Sequence, residues 1–389
     1  MQQNTYENAD TVHSETGGGA PSEAAVSAKP APEKKSLMTY TWAILVVGVV
    51  LVVLFGLYKS NIFGGGSTSP AANAVGTSIH TTTTATSTPT TTITGSSNVW
   101  VTNYNDSTVT KLSRIGTTLG TYAVGSNPIG IAIAPNGNVW VTNSGNGSGT
   151  TVTELSSTGA TLGTFPVGSQ PAGIAIDPGG NVWVTNFGDG GTGNTVTELS
   201  SIGITLGTYT VGSNPIGIAI DPSGNVWVAN QGSSSVTELS NTGATLGTFG
   251  VGRYPVGIAI DSNGNVWVTN DGGNNGTNTV TELSSTGTTL GTYSVGSNPI
   301  GIAIDSSGNV WVTNYNDSTV TKLSSTGTTL GTYSVGSGPF DIAIDSGGNV
   351  WVTNAGSGTV TELSSTGTTL GTFSVGTNPN GVAAGYIAP

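Results

Sequence analysis

Across most of the chain one alternation of apolar and polar positions keeps returning. In NVWVTN, first met at Asn98–Asn103, the two-residue strand period puts Val99 and Val101 on one face and Trp100 on the other. The hexapeptide, once as NVWVAN, recurs at Asn138, Asn181, Asn225, Asn265, Asn309 and Asn349, at spacings of 40, 43, 44, 40, 44 and 40 residues. Most copies are preceded by a Pro and GIAID, apolar almost throughout, as suits a strand covered on both faces. Each copy is followed by a variable loop, a TVTELS-like strand, a short turn ending in Gly, and TLGT with Tyr or Phe. Four short strands per repeat, seven times over, predict an all-β fold, a seven-bladed β-propeller of four-stranded blades over residues 95–389.

The Pro-led strand begins at Pro128, Pro171, Pro215, Pro255, Pro299 and Pro339, with a worn copy, PNGVAAG, at Pro379. The first NVWVTN has no such strand ahead of it. The C-terminal segment Asn380–Gly385 is therefore expected to complete the first blade and tie the chain ends together. TTIT at Thr91–Thr94 is a weaker competitor for that slot. The seven tryptophans (Trp100, Trp140, Trp183, Trp227, Trp267, Trp311, Trp351) read as core wedged between blades. Burying about 150–250 Å² of each is worth at most roughly 4–6 kcal/mol. Outer-strand aromatics at Tyr122, Phe165, Tyr209, Phe249, Tyr293, Tyr333 and Phe373 should anchor the fourth strand. Asp177, Asp221, Asp261, Asp305 and Asp345 read as turn-formers. Glu154, Glu198, Glu238, Glu282 and Glu362 read as a solvated face.

Upstream the pattern changes. Residues 1–36 are polar and predict a disordered cytoplasmic tail. Residues 37–58 carry no charge, and these 22 residues suffice for one transmembrane helix, with Tyr40, Trp42 and Tyr58 placed near the headgroups. Lys29, Lys34 and Lys35 precede the span and only Lys59 closely follows it, which predicts an extracellular C-terminal side. The long polar lead and the distant small-residue site at Ala72–Ala74 favour an uncleaved, single-pass anchor in the cell membrane over a signal peptide. KKSLMTYTWAILVVGVV also resembles the N-terminal segment of archaeal pilin-like envelope proteins, without the acidic residue their processing site carries. Residues 59–94, rich in Gly, Ser and Thr, read as an extended stalk.

Only 7% of residues are charged, with a net charge of −12, so hydroxyls and amides must solubilise the surface. The repeats hold 15 acidic residues against Lys111, Arg114, Arg253 and Lys322, leaving no basic footprint for nucleic acid. Without cysteine there is neither a disulfide framework nor a thiolate metal site.

PIGIAIDPSGNVWVAN followed by SSVTELS resembles the NHL repeat, and NVWVTN with TVTELS resembles the YVTN type of surface propeller. The resemblance implies the architecture over about residues 98–386. Streptogramin lyases and the gluconolactonase group are similar propellers with enzymatic activity. The lyase chemistry requires a histidine base near a metal, whereas both histidines here, His13 and His80, precede the repeats. Lactonase-like chemistry requires a cation held by carboxylates in unlike surroundings.

One active site cannot be sevenfold, so the residues that break the repeat are the informative ones. Strand directions gather the loop after NVWVTN and the loop before GIAID on one face, which is where the sequence varies. The candidate ligand contacts are Tyr104, Phe187, Asp189, Arg253, Tyr254, Asp271, Tyr315, Phe340 and Asp341. Exposed aromatics among amides and carboxylates suit glycans or extracellular protein loops, while drift in surface loops would produce the same variation. No catalytic set and no cofactor is expected, although FGDGGTGN and DGGNNGTN could wrap Ca²⁺ without matching an EF-hand. Sequons at Asn105, Asn146, Asn275 and Asn316 fall in the same loops. The expected function is a membrane-tethered, outward-facing binding scaffold, with a metal-dependent lactonase-like or lyase-like enzyme as the alternative.

Overall fold

The computed structural model describes residues 97–273 and 277–386. The predicted tail, span and stalk, the competing Thr91–Thr94 and the sequon at Asn275 lie outside the described residues. Among the described residues no helix is long and apolar enough to cross a membrane.

Among the described residues, twenty-eight strands form seven four-stranded antiparallel sheets, one per blade. A regular blade runs outward in chain order, as in β4 (Pro128–Ile133), β5 (Val139–Asn143), β6 (Thr151–Leu155) and β7 (Thr161–Pro166). The seam blade differs. Its innermost strand is β28 (Pro379–Tyr386), laid beside β1 (Ser97–Asn103), then β2 (Thr108–Leu112) and β3 (Thr118–Ala123). Trp100 faces Ala383 in this register and Val99 faces Ala384. The C-terminal strand thus completes the first blade.

Blade-to-blade contact is built from the second strand. Every repeat tryptophan is at most 1% exposed, and each ring lies 5.3–5.8 Å from the outer aromatic of its own blade. Trp140 shares a cluster with Ile174 and Val184 of the following blade. The threonine two residues after each tryptophan is equally structural. Thr142 Oγ1 accepts the Gly130 N–H at 2.8 Å and donates to the Ala172 carbonyl of the next blade at 2.8 Å. Thr102, Thr185, Thr269, Thr313 and Thr353 repeat the arrangement, whereas NVWVAN puts Ala229 there and has no such hydroxyl. The approach is close enough to demand glycine, because a Cβ on Gly173 would sit 2.2 Å from the Ile216 carbonyl oxygen.

The TVTELS glutamates correct the sequence reading. They are buried, at 4–7% exposure, and not solvated. Neighbouring blades cover both faces of the third strand, so its polar positions meet protein. Glu198 accepts from the Asn181 amide and from the Tyr209 hydroxyl, and Glu282 accepts likewise from Asn265 and Tyr293. Burial, with the Glu198 carboxylate beside it, pushes the Tyr209 phenol up to about 12. The turn aspartates do more than shape turns: Asp177, Asp221, Asp305 and Asp345 accept the indole N–H of their own blade's tryptophan at 3.1–3.2 Å.

Candidate functional site

On the loop face three sets of residues lie around the axis, each contributing one residue per blade. The innermost set is the residue after each inner-strand proline: Ile129, Ala172, Ile216, Val256, Ile300, Phe340 and, on the closing strand, Asn380. Its six apolar members are buried in one cluster with Tyr104 and Phe187, against which Tyr315 and Ala355 pack. The second set is the residue directly after NVWVTN: Tyr104, Ser144, Phe187, Gln231, Asp271, Tyr315 and Ala355.

The third set precedes each proline. Asn127, Gln170, Asn214, Tyr254, Asn298, Gly338 and Asn378 all adopt positive φ, between 48° and 60°. That conformation turns their carbonyls onto the second set, as the Phe187 N–H to Gln170 bond (3.1 Å) and the Asp271 N–H to Tyr254 bond (3.1 Å) show. Asparagine and glycine tolerate this region, whereas a tyrosine there carries strain.

The aromatics differ from the sequence expectation. Tyr104, Phe187 and Phe340 are buried, not exposed, because they pack into one apolar cluster with Ile129, Ala172, Ile216, Val256 and Ile300. Tyr315 meets Phe340 edge to face, with centroids 6.4 Å apart. Burial raises the Tyr104 phenol. Asp271 is buried too and accepts from the Asn298 amide, and burial holds its carboxyl above the usual range.

At the rim Arg253 lies 5.3 Å from the Tyr254 ring, and Tyr254 is 39% exposed with φ 51°. Asp189 is exposed on a 3₁₀ turn, Asp189–Gly191, and its carbonyl accepts from Thr192. The structure thus gathers Tyr104, Phe187, Tyr315 and Phe340, pairs Arg253 with Tyr254, and leaves Asp189 apart from them.

Asp341 belongs to a deeper layer. It takes the place held by Gly130, Gly173, Gly217, Gly257, Gly301 and Gly381 in the other blades, and is 0% exposed. Its Oδ2 accepts the Val382 N–H at 2.9 Å and its Oδ1 has no partner. Burial pushes this carboxyl well above the ordinary value. It faces the closing strand, not the loop face.

Sequence reasoning overlooked most of the positive-φ set and the Asp271–Asn298 pair. The Asn-Pro dipeptide that opens four of the seven inner strands was the available signal. Among the described residues no three His, Cys, Asp or Glu side chains come together in a metal-holding arrangement. A cleft of about 200 Å³ at the seam, lined by Asn103, Asp106 and Thr110, lies among outer-strand residues such as Thr118 and Thr121 and contains a single carboxylate.

Residues 297–323 match the NHL repeat. No curated protein sequence matches the chain. A streptogramin B lyase structure aligns with a TM-score of 0.59 at 20% identity, covering 74% of this chain and 91% of that one. A catalytically inactive histidine-to-alanine variant of virginiamycin B lyase from Staphylococcus aureus, with quinupristin, aligns at 0.55 and 18% identity, over 70% and 86% of the two chains. A putative 6-phosphogluconolactonase from Bacteroides fragilis aligns at 0.63 and 16% identity, over 76% and 99%. These likenesses show a fold: a seven-bladed, streptogramin-lyase-like propeller with four-stranded blades that carries an NHL repeat.

Proposed function

We propose that the protein is a membrane-tethered, outward-facing scaffold whose loop face binds an extracellular glycan or protein. The observation that carries this reading is the contrast on the loop face: its aromatics pack into one buried apolar cluster, while the variable groups Arg253, Tyr254 and Asp189 are exposed. An exposed Arg–Tyr pair beside half-buried amides suits a glycan or protein ligand. Both histidines precede the propeller, so a histidine-dependent lyase reaction has no base here. The anchor and orientation rest on residues 37–58 and the lysines ahead of them.

Antibody against the propeller should label unpermeabilised cells. A propeller that is labelled only after permeabilisation overturns the orientation. Screening envelope glycans and surface proteins against the chain and against Arg253→Ala/Tyr254→Ala should yield a ligand that the double variant loses. A melting temperature indifferent to EDTA and to added Ca²⁺, Mg²⁺ or Mn²⁺ is expected. A metal at about 100 times its Kd would add about 2.7 kcal/mol, and such a rise would favour the lactonase-like alternative.

A further inference from the structure

The pair of residues ahead of each inner-strand proline is Ser-Asn, Ser-Gln, Ser-Gly or Thr-Asn, except ahead of Pro255, where it is Arg253-Tyr254. Among the described side chains no other aromatic is as exposed as Tyr254, at 39%. Its φ of 51° sets a bulky residue where four blades have asparagine, a strained conformation for it. The backbone is held there, since the Arg253 and Tyr254 carbonyls accept the Gly272 and Asp271 N–H groups at 3.1 Å. The Tyr254 ring lies against Gly273, where a Cβ would sit 2.7 Å from Cε2, and the Arg253 guanidinium lies 5.3 Å from the ring centroid. The other cations of the repeats are engaged elsewhere. Lys111 bonds the Ser157 carbonyl, Lys322 bonds the Ser365 carbonyl and pairs with Asp305, and Arg114, on a turn of the opposite face, acts on the Glu362 carboxyl. Arg253 is exposed, and among the described residues no carboxylate pairs with it.

We propose that Arg253 and Tyr254 form a subsite for the carboxylate of an acidic sugar, a hexuronic acid carried on an otherwise neutral glycan. The proposal rests on the loop face being the ligand-binding face. A guanidinium binds a carboxylate through two parallel N–H···O bonds, and an aromatic ring beneath it fixes the plane of that fork. Tyr254 is thus a positioning residue for Arg253. The repeats hold 15 acidic residues against four basic ones, so a polyanion would be repelled, and one guanidinium matches one carboxylate. A peptide C-terminus carries the same charge, but its last side chain would need an apolar pocket. The apolar groups of this face, Tyr104, Phe187 and Phe340, are packed in a buried cluster. Sugar hydroxyls need only polar partners, and the flanking loops, Gln231–Ser234 and Thr277–Asn278, are built of such residues.

The full chain in mild detergent is titrated with neutral oligosaccharides, with the same oligosaccharides ending in glucuronic, galacturonic or mannuronic acid, and with the methyl esters of those acids. One acid should bind, and its ester and the neutral sugar should bind at least about tenfold more weakly. Arg253→Gln should lose as much, and Arg253→Lys, which keeps the charge without the fork, should recover only part. Tyr254→Asn installs the residue most blades use there, so it should raise the melting temperature while weakening the acid. Tyr254→Phe keeps the ring and should recover most of that affinity. A merely structural Tyr254 would not trade stability against binding. Binding of none of the acids, equal binding of the ester, undiminished binding by Arg253→Gln or Tyr254→Asn, or tighter binding of an N-acetylated peptide with a free C-terminus each overturns the proposal. A neutral glycan or surface protein that binds the parent and is lost by Arg253→Ala/Tyr254→Ala also overturns it, while sustaining the scaffold reading.

Discussion

Trp100 has a buried indole N–H without a partner, and Gly385 stands where five of the other blades have the turn aspartate (Ala134 holds that place in the blade of Trp140). Lys111 meanwhile lies 4.9 Å over that ring and donates to the Ser157 carbonyl. The blade of Trp311 shows the completed set: Lys322 sits 4.6 Å over the ring, 3.5 Å from Asp305 Oδ2, and bonds the Ser365 carbonyl. Gly385→Asp should therefore stabilise the protein by about 1 kcal/mol, the net worth of one buried hydrogen bond. The melting temperature should rise, and Lys111→Met should remove part of the gain.

Asp341 makes the opposite case. Its folded-state carboxyl titrates above its ordinary value of 3.8, so the folded chain holds the proton more tightly than the unfolded chain. The stability this contributes is complete below that ordinary value and is lost as pH rises through the raised one. The buried glutamates, raised by burial, act in the same direction. Asp341→Asn keeps an acceptor for the Val382 N–H and cannot ionise. Its melting temperature should fall less than the parent's as pH rises above that ordinary value, and an unchanged slope would place the sensitivity elsewhere.

Among elements, the second strand carries the inter-blade hydrogen bond, and the strand holding Ala229 lacks it. Ala229→Thr should donate to the Val256 carbonyl, as Thr269 donates to Ile300, and stabilise by about 0.5–1.5 kcal/mol in chemical denaturation. Strand identity, order and the tryptophan wedge were legible in the sequence because repetition exposes them seven times. The glutamates were not. In a sheet packed between two others, alternation no longer distinguishes buried from wet, since both faces of β6 and its counterparts meet protein. The loop aromatics escaped for a related reason: the residues after NVWVTN vary freely in sequence, and only the positive-φ carbonyls opposite them fix Tyr104 and Phe187 inward.

For the ring as a whole, closure rests on β28. Deleting residues 379–389 would strip the inner strand from the first blade and uncover Trp100, Thr102 and the Asp341 carboxyl. Losing a buried tryptophan's packing alone costs about 3–5 kcal/mol. The truncated chain should melt far lower than the parent and aggregate on heating, and a melting temperature within a few degrees of the parent's would show that closure is dispensable.

The seam also sets a timetable. Thr102 and Gly381, joined by a hydrogen bond, lie 279 residues apart, so β1 waits for its partner while all the blades between are made. At about 5–20 residues per second that wait lasts roughly 15–60 s. Through it the first blade stands with three strands while six near-copies of the missing one emerge, any of which could be captured out of place. The closing strand is the most divergent of the seven, reading PNGVAAG, and its Val382 N–H is matched by the one carboxylate among six glycines. Its wear therefore sets it apart from the six copies that precede it.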